Sequence, residues 1–140
     1  MRPAGFFTAE GQTLEIDRAL QACMAGVVLP LVLATGDAVV GRLTLSGITR
    51  GAFESASLGY WVDAALAGRG IMTAAVAETL RLARDELGLH RVEAATLPEN
   101  AASQAVLRHN GFEPIGAAPR YLRIAGRWQD HLLFQRILHD

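Results

Sequence analysis

The sequence holds a single cysteine, Cys23, which excludes an internal disulfide and leaves no set of cysteines for a metal site. This thiol is interpreted as a small apolar side chain on a helix face. The histidines lack the paired spacing of metal ligands; they are His90, His109, His131 and His139. We therefore expect no bound metal.

An excess of one charge is also missing, because 13 basic residues stand against 14 acidic residues and the formal net charge is −1. Broad nucleic-acid binding needs a basic surface, so no nucleic-acid partner is expected. A small basic cluster at Arg120, Arg123 and Arg127 is interpreted as a solvated rim. No apolar run reaches the ~18 residues of a membrane span, and the first residues lack the order of a signal peptide. The cytoplasm is the expected location, with no membrane partner.

Apolar residues make up 51% of the 140 residues, which predicts one globular domain, residues 1–140, with a sizeable core. Hydrophobic periodicity predicts helices at about 8–25 and 70–87, and a further helix that opens at Asn100 and ends at Asn110-Gly111. Predicted strands span residues 27–34, 39–46, 56–62, 91–97, 112–124 and 128–137. The order α-β-β-β-α-β-α-β-β is typical of an α+β domain with a mixed sheet.

The most informative stretch, Ala67–Ala75, follows the predicted strand 56–62 and opens the longest predicted helix. It contains two glycines, Gly68 and Gly70, with a basic side chain between them. Free N–H groups and the positive end of a helix favour a phosphate there, and glycines let a ligand approach the backbone closely. Many strand–loop–helix turns carry glycine for packing alone, so both interpretations stay open on these residues.

Five short segments, taken in order, resemble the GNAT superfamily of acetyl-CoA-dependent N-acetyltransferases: Trp61-Val62-Asp63, Gly68–Thr73, Arg91-Val92-Glu93, Asn100–Ser103 and Gly111-Phe112. The tail, residues 121–131, resembles the RimJ/RimL branch, which includes ribosomal-protein-alanine N-acetyltransferases. The resemblance runs from about residue 6 onward. It implies the GNAT fold, with a mixed, mostly antiparallel sheet and helices on both faces.

The resemblance also implies acetyl transfer from acetyl-CoA to a primary amine, by direct attack of the amine on the thioester. A protein N-terminal α-amine, for example that of a ribosomal protein, is the expected acceptor, because its pKa near ~8 leaves a useful neutral fraction at pH ~7. Two other functions stay open: a GNAT-fold module that binds acyl-CoA as a sensor without turnover, and a purely structural α+β protein.

In the family, the strand that holds Trp61, Val62 and Asp63 splays from the strand at Glu93, and the pantetheine arm fills the gap between them. The Val62 N–H is then the expected donor to the oxyanion of the reaction. Asn100 is expected to bind the pantetheine amide, with an ordinary helix cap as the alternative. Backbone N–H groups after the glycines are expected to hold the pyrophosphate; they belong to Arg69, Gly70, Ile71, Met72, Thr73 and Ala74.

The resemblance implies that Ser103 lies near the thioester sulfur, so Ser103 is the candidate acid for the departing thiolate, directly or through water. The tyrosine that many relatives carry in this helix as the acid is replaced by Leu107. The alternative for Ser103 is an ordinary polar helix residue. Glu93 is a candidate base acting through water, against an outward-facing carboxylate with an arginine neighbour. Strand alternation predicts that Tyr60 and Trp61 face opposite sides, and that only one of two adjacent residues near the end points inward. The candidate substrate residues are Glu54, Tyr60, Tyr121, Asp130 and His131.

Two further features differ from the family pattern. The basic side chain of the phosphate loop is displaced to Arg69, while the central glycine, Gly70, is kept. Members usually begin with a further strand and helix before the predicted helix at 8–25, and this chain is expected to lack them. The missing strand would pair with residues 27–34, so an apolar edge is expected there, with a homodimer or poor solubility as its consequence.

Overall fold

The structure is a computed structural model that describes residues 3–9, 12–18, 28–36, 38–62 and 70–140. No helix in this part of the chain is long and apolar enough to cross a membrane. The elements are β1 (Pro3–Ala9), β2 (Gln12–Arg18), β3 (Leu29–Thr35), β4 (Ala38–Thr49), β5 (Ser55–Val62), α1 (Ile71–Asp85), β6 (Arg91–Thr96), α2 (Ala101–His109), β7 (Glu113–Ile124) and β8 (Arg127–Ile137).

The strands form one eight-stranded sheet in the order β1-β2-β3-β4-β5-β6-β8-β7. Every neighbouring pair is antiparallel except β5 and β6, which run parallel because α1 returns the chain between them. The predicted α+β class with a mixed, mostly antiparallel sheet is confirmed. From β3 onward the elements follow the predicted order, with bounds that differ by a few residues.

Strand alternation decides which face of the sheet the helices cover. In β6, Val92, Ala94 and Thr96 are buried, while the residues between them are partly exposed. Both helices contribute to the same core cluster as these strand residues, through side chains such as Ile71 of α1 and Leu107 of α2. The two described helices therefore pack on one face of the sheet, on the side of the buried β6 residues.

The helix predicted at about 8–25 is wrong in its first half. Residues 3–9 and 12–18 form the antiparallel hairpin β1–β2, in which Phe7 lies opposite Leu14. Leu14 and Ile16 are both buried at 0% exposure, and their spacing of two fits a strand. This short apolar run fits the period of a helix as well as the period of a strand. Its pairing with neighbouring strands makes it a strand. The rest of the predicted helix, residues 19–25 with Cys23, lies outside the described residues.

The apolar edge expected at residues 27–34 is corrected as well. β2 pairs with β3 from Glu15 opposite Ala34 to Arg18 opposite Leu31, and β4 pairs with β3 on its other side. β3 is therefore an interior strand with a neighbour on each side. The homodimer was expected because of an open edge, so that reason for expecting it is removed.

Candidate active site

β5 and β6 separate partway along their length. Their last paired residues are Ser57 and Glu93, although β5 continues to Val62 and β6 to Thr96. The space between residues 58–62 and 94–96, which we call the strand gap, lies at the carboxyl ends of both strands. In open sheets, ligands bind outside the carboxyl ends of parallel strands, and backbone groups that face such a gap need a partner.

The first turn of α1, the element that follows β5 in the described part of the chain, offers backbone N–H groups. Gly70 precedes the helix with φ of 74° and ψ of −1°, a left-handed conformation that favours glycine. The Ala74 N–H donates to the Gly70 carbonyl at 3.1 Å. The N–H groups of Ile71, Met72 and Thr73 therefore have no acceptor within the helix. Three such groups at the positive end of a helix suit a phosphate.

α2 begins where the chain leaves β6. The Ser103 N–H donates to Asn100 Oδ1 at 3.1 Å, which is a helix N-cap. The ordinary cap, one of the two interpretations of Asn100, is thus present. It uses the oxygen of the side-chain amide and leaves the Nδ2 group as a donor, so the cap does not compete with a contact to a ligand carbonyl.

A hydrogen bond joins β5 to α2. The Tyr60 hydroxyl lies 2.8 Å from Ser103 Oγ, a contact in which either oxygen can donate, and 3.3 Å from the Ser103 carbonyl, which can only accept; the one phenol hydrogen serves one of these two acceptors, and Oγ is the nearer. Tyr60 packs against the core cluster, whereas Trp61 is 52% exposed, so the predicted alternation of the two is confirmed. Burial raises the pKa of the Tyr60 phenol above its usual value, and the hydrogen bond with Ser103 offsets part of that rise.

The two glutamates predicted for the site differ in position. Glu93 lies at the vertex of the strand gap, in the last β5–β6 pair, where Glu93 Oε2 is 3.3 Å from Arg91 Nε. Glu54 precedes β5 and accepts hydrogen bonds at 3.0 Å from the Gly51 N–H and from Arg50. Eight residues of strand, about 26 Å, separate Glu54 from Val62 at the gap end of β5. The position of Glu54 therefore does not suit the substrate role predicted for it.

The β7–β8 hairpin extends past the end of β6, on the side where the strand gap opens. The pairing of β6 with β8 ends at Thr96 opposite Leu132, so the start of β8 lies beyond it. His131 is buried at 2% exposure, and its Nδ1 lies 2.9 Å from the Gln129 carbonyl, so Nδ1 carries the proton. The Tyr121 ring lies 5.9 Å from the imidazole, centre to centre.

Asp130 takes the opposite position to its neighbour His131. Its side chain is exposed, and Oδ1 accepts a hydrogen bond from the Arg120 N–H at 2.8 Å. Only His131 of this adjacent pair is buried, as the alternation predicted.

Val62, the last residue of β5, lies opposite Gly41 of β4. Asp63 and Arg69, which were predicted to bind the cofactor, lie outside the described residues.

Sequence reasoning missed a cationic groove between α1, the end of α2 and β8. Its volume is about 420 Å³, and no carboxylate is among the lining residues that the structure describes. Arg81 is paired with Glu78 and Arg84 with Asp85, while Arg136 Nη1 donates to the Ile137 carbonyl. Ala77 of the lining lies one helical turn from Thr73. The lining residues are Ala77, Leu80, Arg81, Arg84, His109, Asn110, Gly111, Arg136 and Leu138.

Residues 5–113 match the family described as acetyltransferase (GNAT) domain. The chain belongs to the GNAT family. It is 43% identical over 98 residues to a probable N-acetyltransferase, YjcK, of Bacillus subtilis (strain 168), covering 70% of this chain and 54% of that protein. It is 35% identical over 95 residues to the [ribosomal protein uS5]-alanine N-acetyltransferase of Escherichia coli (strain K12), covering 68% of this chain and 49% of that protein.

Solved structures agree with this GNAT assignment. The RimJ of Mycobacterium smegmatis, in complex with CoA-disulfide, superposes with a TM-score of 0.77 at 45% identity, covering 80% of this chain and 54% of that one. The ribosomal-protein-S5-alanine acetyltransferase of Vibrio fischeri gives 0.79 at 35% identity, covering 82% and 64%. The resemblance to the RimJ/RimL branch is confirmed. The chain spans about half the length of the curated relatives it matches.

Proposed function

We propose that this GNAT domain transfers acetyl from acetyl-CoA to a primary amine, with a protein N-terminal α-amine as the acceptor. The observation that carries the proposal is the strand gap between β5 and β6, together with the N–H groups at the start of α1, the next described element, which have no acceptor within the helix. The named activities of the related proteins support the same reaction class.

The gap and the helix end fit the two chemical parts of the donor. An extended pantetheine arm offers amide groups that can pair with the free edge of β5 at Trp61 and Val62, as a strand would, and the proposal extends this contact to Asp63, the next residue in the chain. The diphosphate suits the N–H groups of Arg69, Gly70, Ile71, Met72 and Thr73. The Ala74 N–H, which was also predicted to bind it, donates to the Gly70 carbonyl instead. In this proposal the Asn100 Nδ2 group donates a hydrogen bond to a pantetheine carbonyl.

The cationic groove extends this fit to the far end of the nucleotide. A 3′-phosphate is a dianion that favours arginine and histidine side chains, and the groove supplies Arg136 and His109 in addition to the paired arginines of α1. Since Ala77 lies about one turn along α1 from Thr73, a ligand held at the helix end can reach the groove. We assign the 3′-phosphate to it.

In the proposed reaction the amine nitrogen bonds to the acetyl carbon, and the carbon–sulfur bond breaks with its electron pair going to sulfur. The sulfur takes a proton from Ser103, while the amine loses one to solvent, with Glu93 as the candidate base through water. The Val62 N–H hydrogen-bonds the acetyl oxygen as negative charge develops on it. An acceptor α-amine, with a pKa near ~8, needs less help from a base than a lysine amine at ~10.4.

The acceptor is proposed to approach from the β7–β8 hairpin, past Tyr121 and His131, with Asp130 at the rim. The relative that acetylates a ribosomal-protein alanine makes such an N-terminus the first acceptor to try. A ribosomal-protein acceptor would place the reaction in the cytoplasm. Tyr60, predicted to contact substrate, lies on the helix-covered side of β5 and is assigned another role below.

Two measurements test the proposal. A thermal melt with acetyl-CoA at about 100 times its Kd should stabilise the protein by ~2.7 kcal/mol, because only the folded state binds. Release of free CoA thiol is then measured over N-terminal peptides and small amines. Stabilisation without thiol release on any amine favours the sensor, and the absence of stabilisation favours a structural protein.

A further inference from the structure

Three hydroxyl groups lie on the helix-covered side of the strand gap. Tyr60 follows the buried residues Ala56 and Leu58 on β5, and Thr96 follows Val92 and Ala94 on β6. The last β5–β6 pair, Ser57 with Glu93, is three residues before each hydroxyl residue, so Tyr60 and Thr96 stand at the same height on opposite sides of the gap. Ser103, the third, reaches this level from α2 through its bond to Tyr60.

The helix position that holds a tyrosine in many relatives cannot supply a proton in this chain. That position is Leu107, which is buried at 0% exposure in the core cluster. The phenol nearest to Ser103 comes instead from β5, at 2.8 Å from the serine oxygen. The phenol that contacts α2 therefore belongs to β5 and not to α2 itself.

We propose that Tyr60 is the positioning residue for the acid: its hydroxyl donates a hydrogen bond to Ser103 Oγ and turns the Ser103 hydrogen toward the departing sulfur. The inference rests on the proposed acetyl transfer. A serine hydroxyl has one hydrogen and two acceptor lone pairs, so it can accept from Tyr60 and donate to a ligand at the same time.

The proton transfers of the reaction balance while Tyr60 stays protonated. When the carbon–sulfur bond breaks, its electron pair goes to sulfur and the Ser103 proton goes to sulfur with it. Ser103 Oγ takes a proton that water relays from solvent in the same step, so no serine alkoxide forms, and the Tyr60 O–H, 2.8 Å away, stabilises the partial charge that develops on this oxygen. The amine releases one proton to solvent and Ser103 recovers one from solvent. Tyr60 keeps its proton throughout, since burial disfavours its phenolate.

The test compares Tyr60→Phe, Ser103→Ala and the double variant by steady-state kinetics over a range of pH. Tyr60→Phe should lower kcat about tenfold near neutral pH and leave the KM for acetyl-CoA unchanged. The double variant should be no slower than Ser103→Ala, because the two hydroxyls act as one unit. Ser55→Ala removes a buried hydroxyl from the far end of the same strand and should leave kcat unchanged.

The pH profile separates positioning from mere packing. Above the ordinary thiol pKa of ~8.5 the sulfur can leave as a thiolate, so the deficit of Tyr60→Phe and of Ser103→Ala should shrink as the pH rises. A deficit of the same size at every pH, or full kcat in Tyr60→Phe, overturns the inference while acetyl transfer by the wild type stands. A wild type that releases no thiol with any amine overturns the proposed function and this inference together.

Discussion

The side-chain amide of Asn110 donates a hydrogen bond of 3.1 Å to the carbonyl of Thr73, which joins the end of α2 to the first turn of α1. The same Nδ2 group also donates to the Val106 carbonyl at 3.0 Å. Thr73 belongs to the turn whose N–H groups we assign to the diphosphate. One side chain therefore fixes the position of the phosphate-binding turn relative to the helix that carries Ser103.

Replacing Asn110 with alanine should lower the free energy of unfolding by about 1–2 kcal/mol, because a partly buried donor with two acceptors is lost. Urea denaturation measures this change. Gln129→Ala is the matched control, since Gln129 Nε2 makes a similar bond of 2.9 Å to the Ile124 carbonyl at the exposed hairpin tip. An equal and small effect in both variants would show that Asn110 is not a structural link.

The elements around the site could be predicted because their signals are local. The apolar residues of α1 repeat about every 3.6 residues over a long segment, which is typical of a helix. Gly70 lies at the predicted boundary between strand and helix, and it takes the left-handed conformation there. The hairpin β1–β2 could not be predicted in the same way. Leu14 and Ile16 form too short a run to distinguish a strand from a helix, and partners far along the chain decide the outcome.

Contacts between side chains of β5 and α2 could not be predicted from the sequence, for a related reason. Tyr60 and Ser103 lie 43 residues apart, and no period connects them. The groove combines Arg81 and Arg84, whose spacing on a helix was visible, with Arg136, which only the packing of β8 brings near. The resemblance carried the backbone part of the site, because backbone contacts depend on turn shape more than on side-chain identity.

Gly70→Val should abolish acetyl-CoA binding, since a branched side chain at φ of 74° distorts the turn that presents the N–H groups. Gly51 is the matched control: it has φ of 77° and nothing within 4 Å of an added Cβ, in the turn between β4 and β5. Both variants should lose roughly 1–2 kcal/mol of stability, and only Gly70→Val should lose the thermal shift with acetyl-CoA. Retained affinity in Gly70→Val would refute the phosphate assignment.

Arg136→Gln should weaken acetyl-CoA binding by roughly three- to tenfold, because the arginine is one of the cations assigned to the 3′-phosphate. Binding of acetyl-dephospho-CoA, which lacks that phosphate, should not change. Isothermal titration of both ligands checks this difference, with Arg123→Gln on the hairpin as the control arginine. Equal losses of affinity for the two ligands would show that the groove does not bind the 3′-phosphate.

Thr96→Val should stabilise the protein without ligand by about 1 kcal/mol, because Thr96 is 4% exposed and its hydroxyl has no hydrogen-bond partner among the described residues. Its thermal shift with acetyl-CoA should at the same time be smaller than that of the wild type, if the ligand in the gap satisfies this hydroxyl. Thr79→Val is the control, since the Thr79 hydroxyl already donates to the Ala75 carbonyl at 2.9 Å and its loss brings no gain.

The Tyr60 phenol should ionise above its ordinary pKa of 10.0, because burial disfavours the phenolate more than the bond with Ser103 favours it. The chain has two tyrosines, so Tyr121→Phe leaves Tyr60 as the only phenol, and its ultraviolet absorbance can be followed as the pH is raised. Adding Ser103→Ala should move the midpoint higher still, since that substitution removes the contact that lowers the pKa. The same titration in denaturant supplies the unfolded reference.

The sign of the linked stability follows from that shift. The folded state holds the Tyr60 proton more tightly than the unfolded state does, so this contribution to stability is complete below the unfolded pKa. It is lost as the pH rises through the raised pKa of the folded protein, and Tyr60→Phe should lose less stability over that alkaline window than the wild type. A folded midpoint at or below the one measured in denaturant would show that burial does not raise the pKa of the Tyr60 phenol and that this contribution to stability is absent.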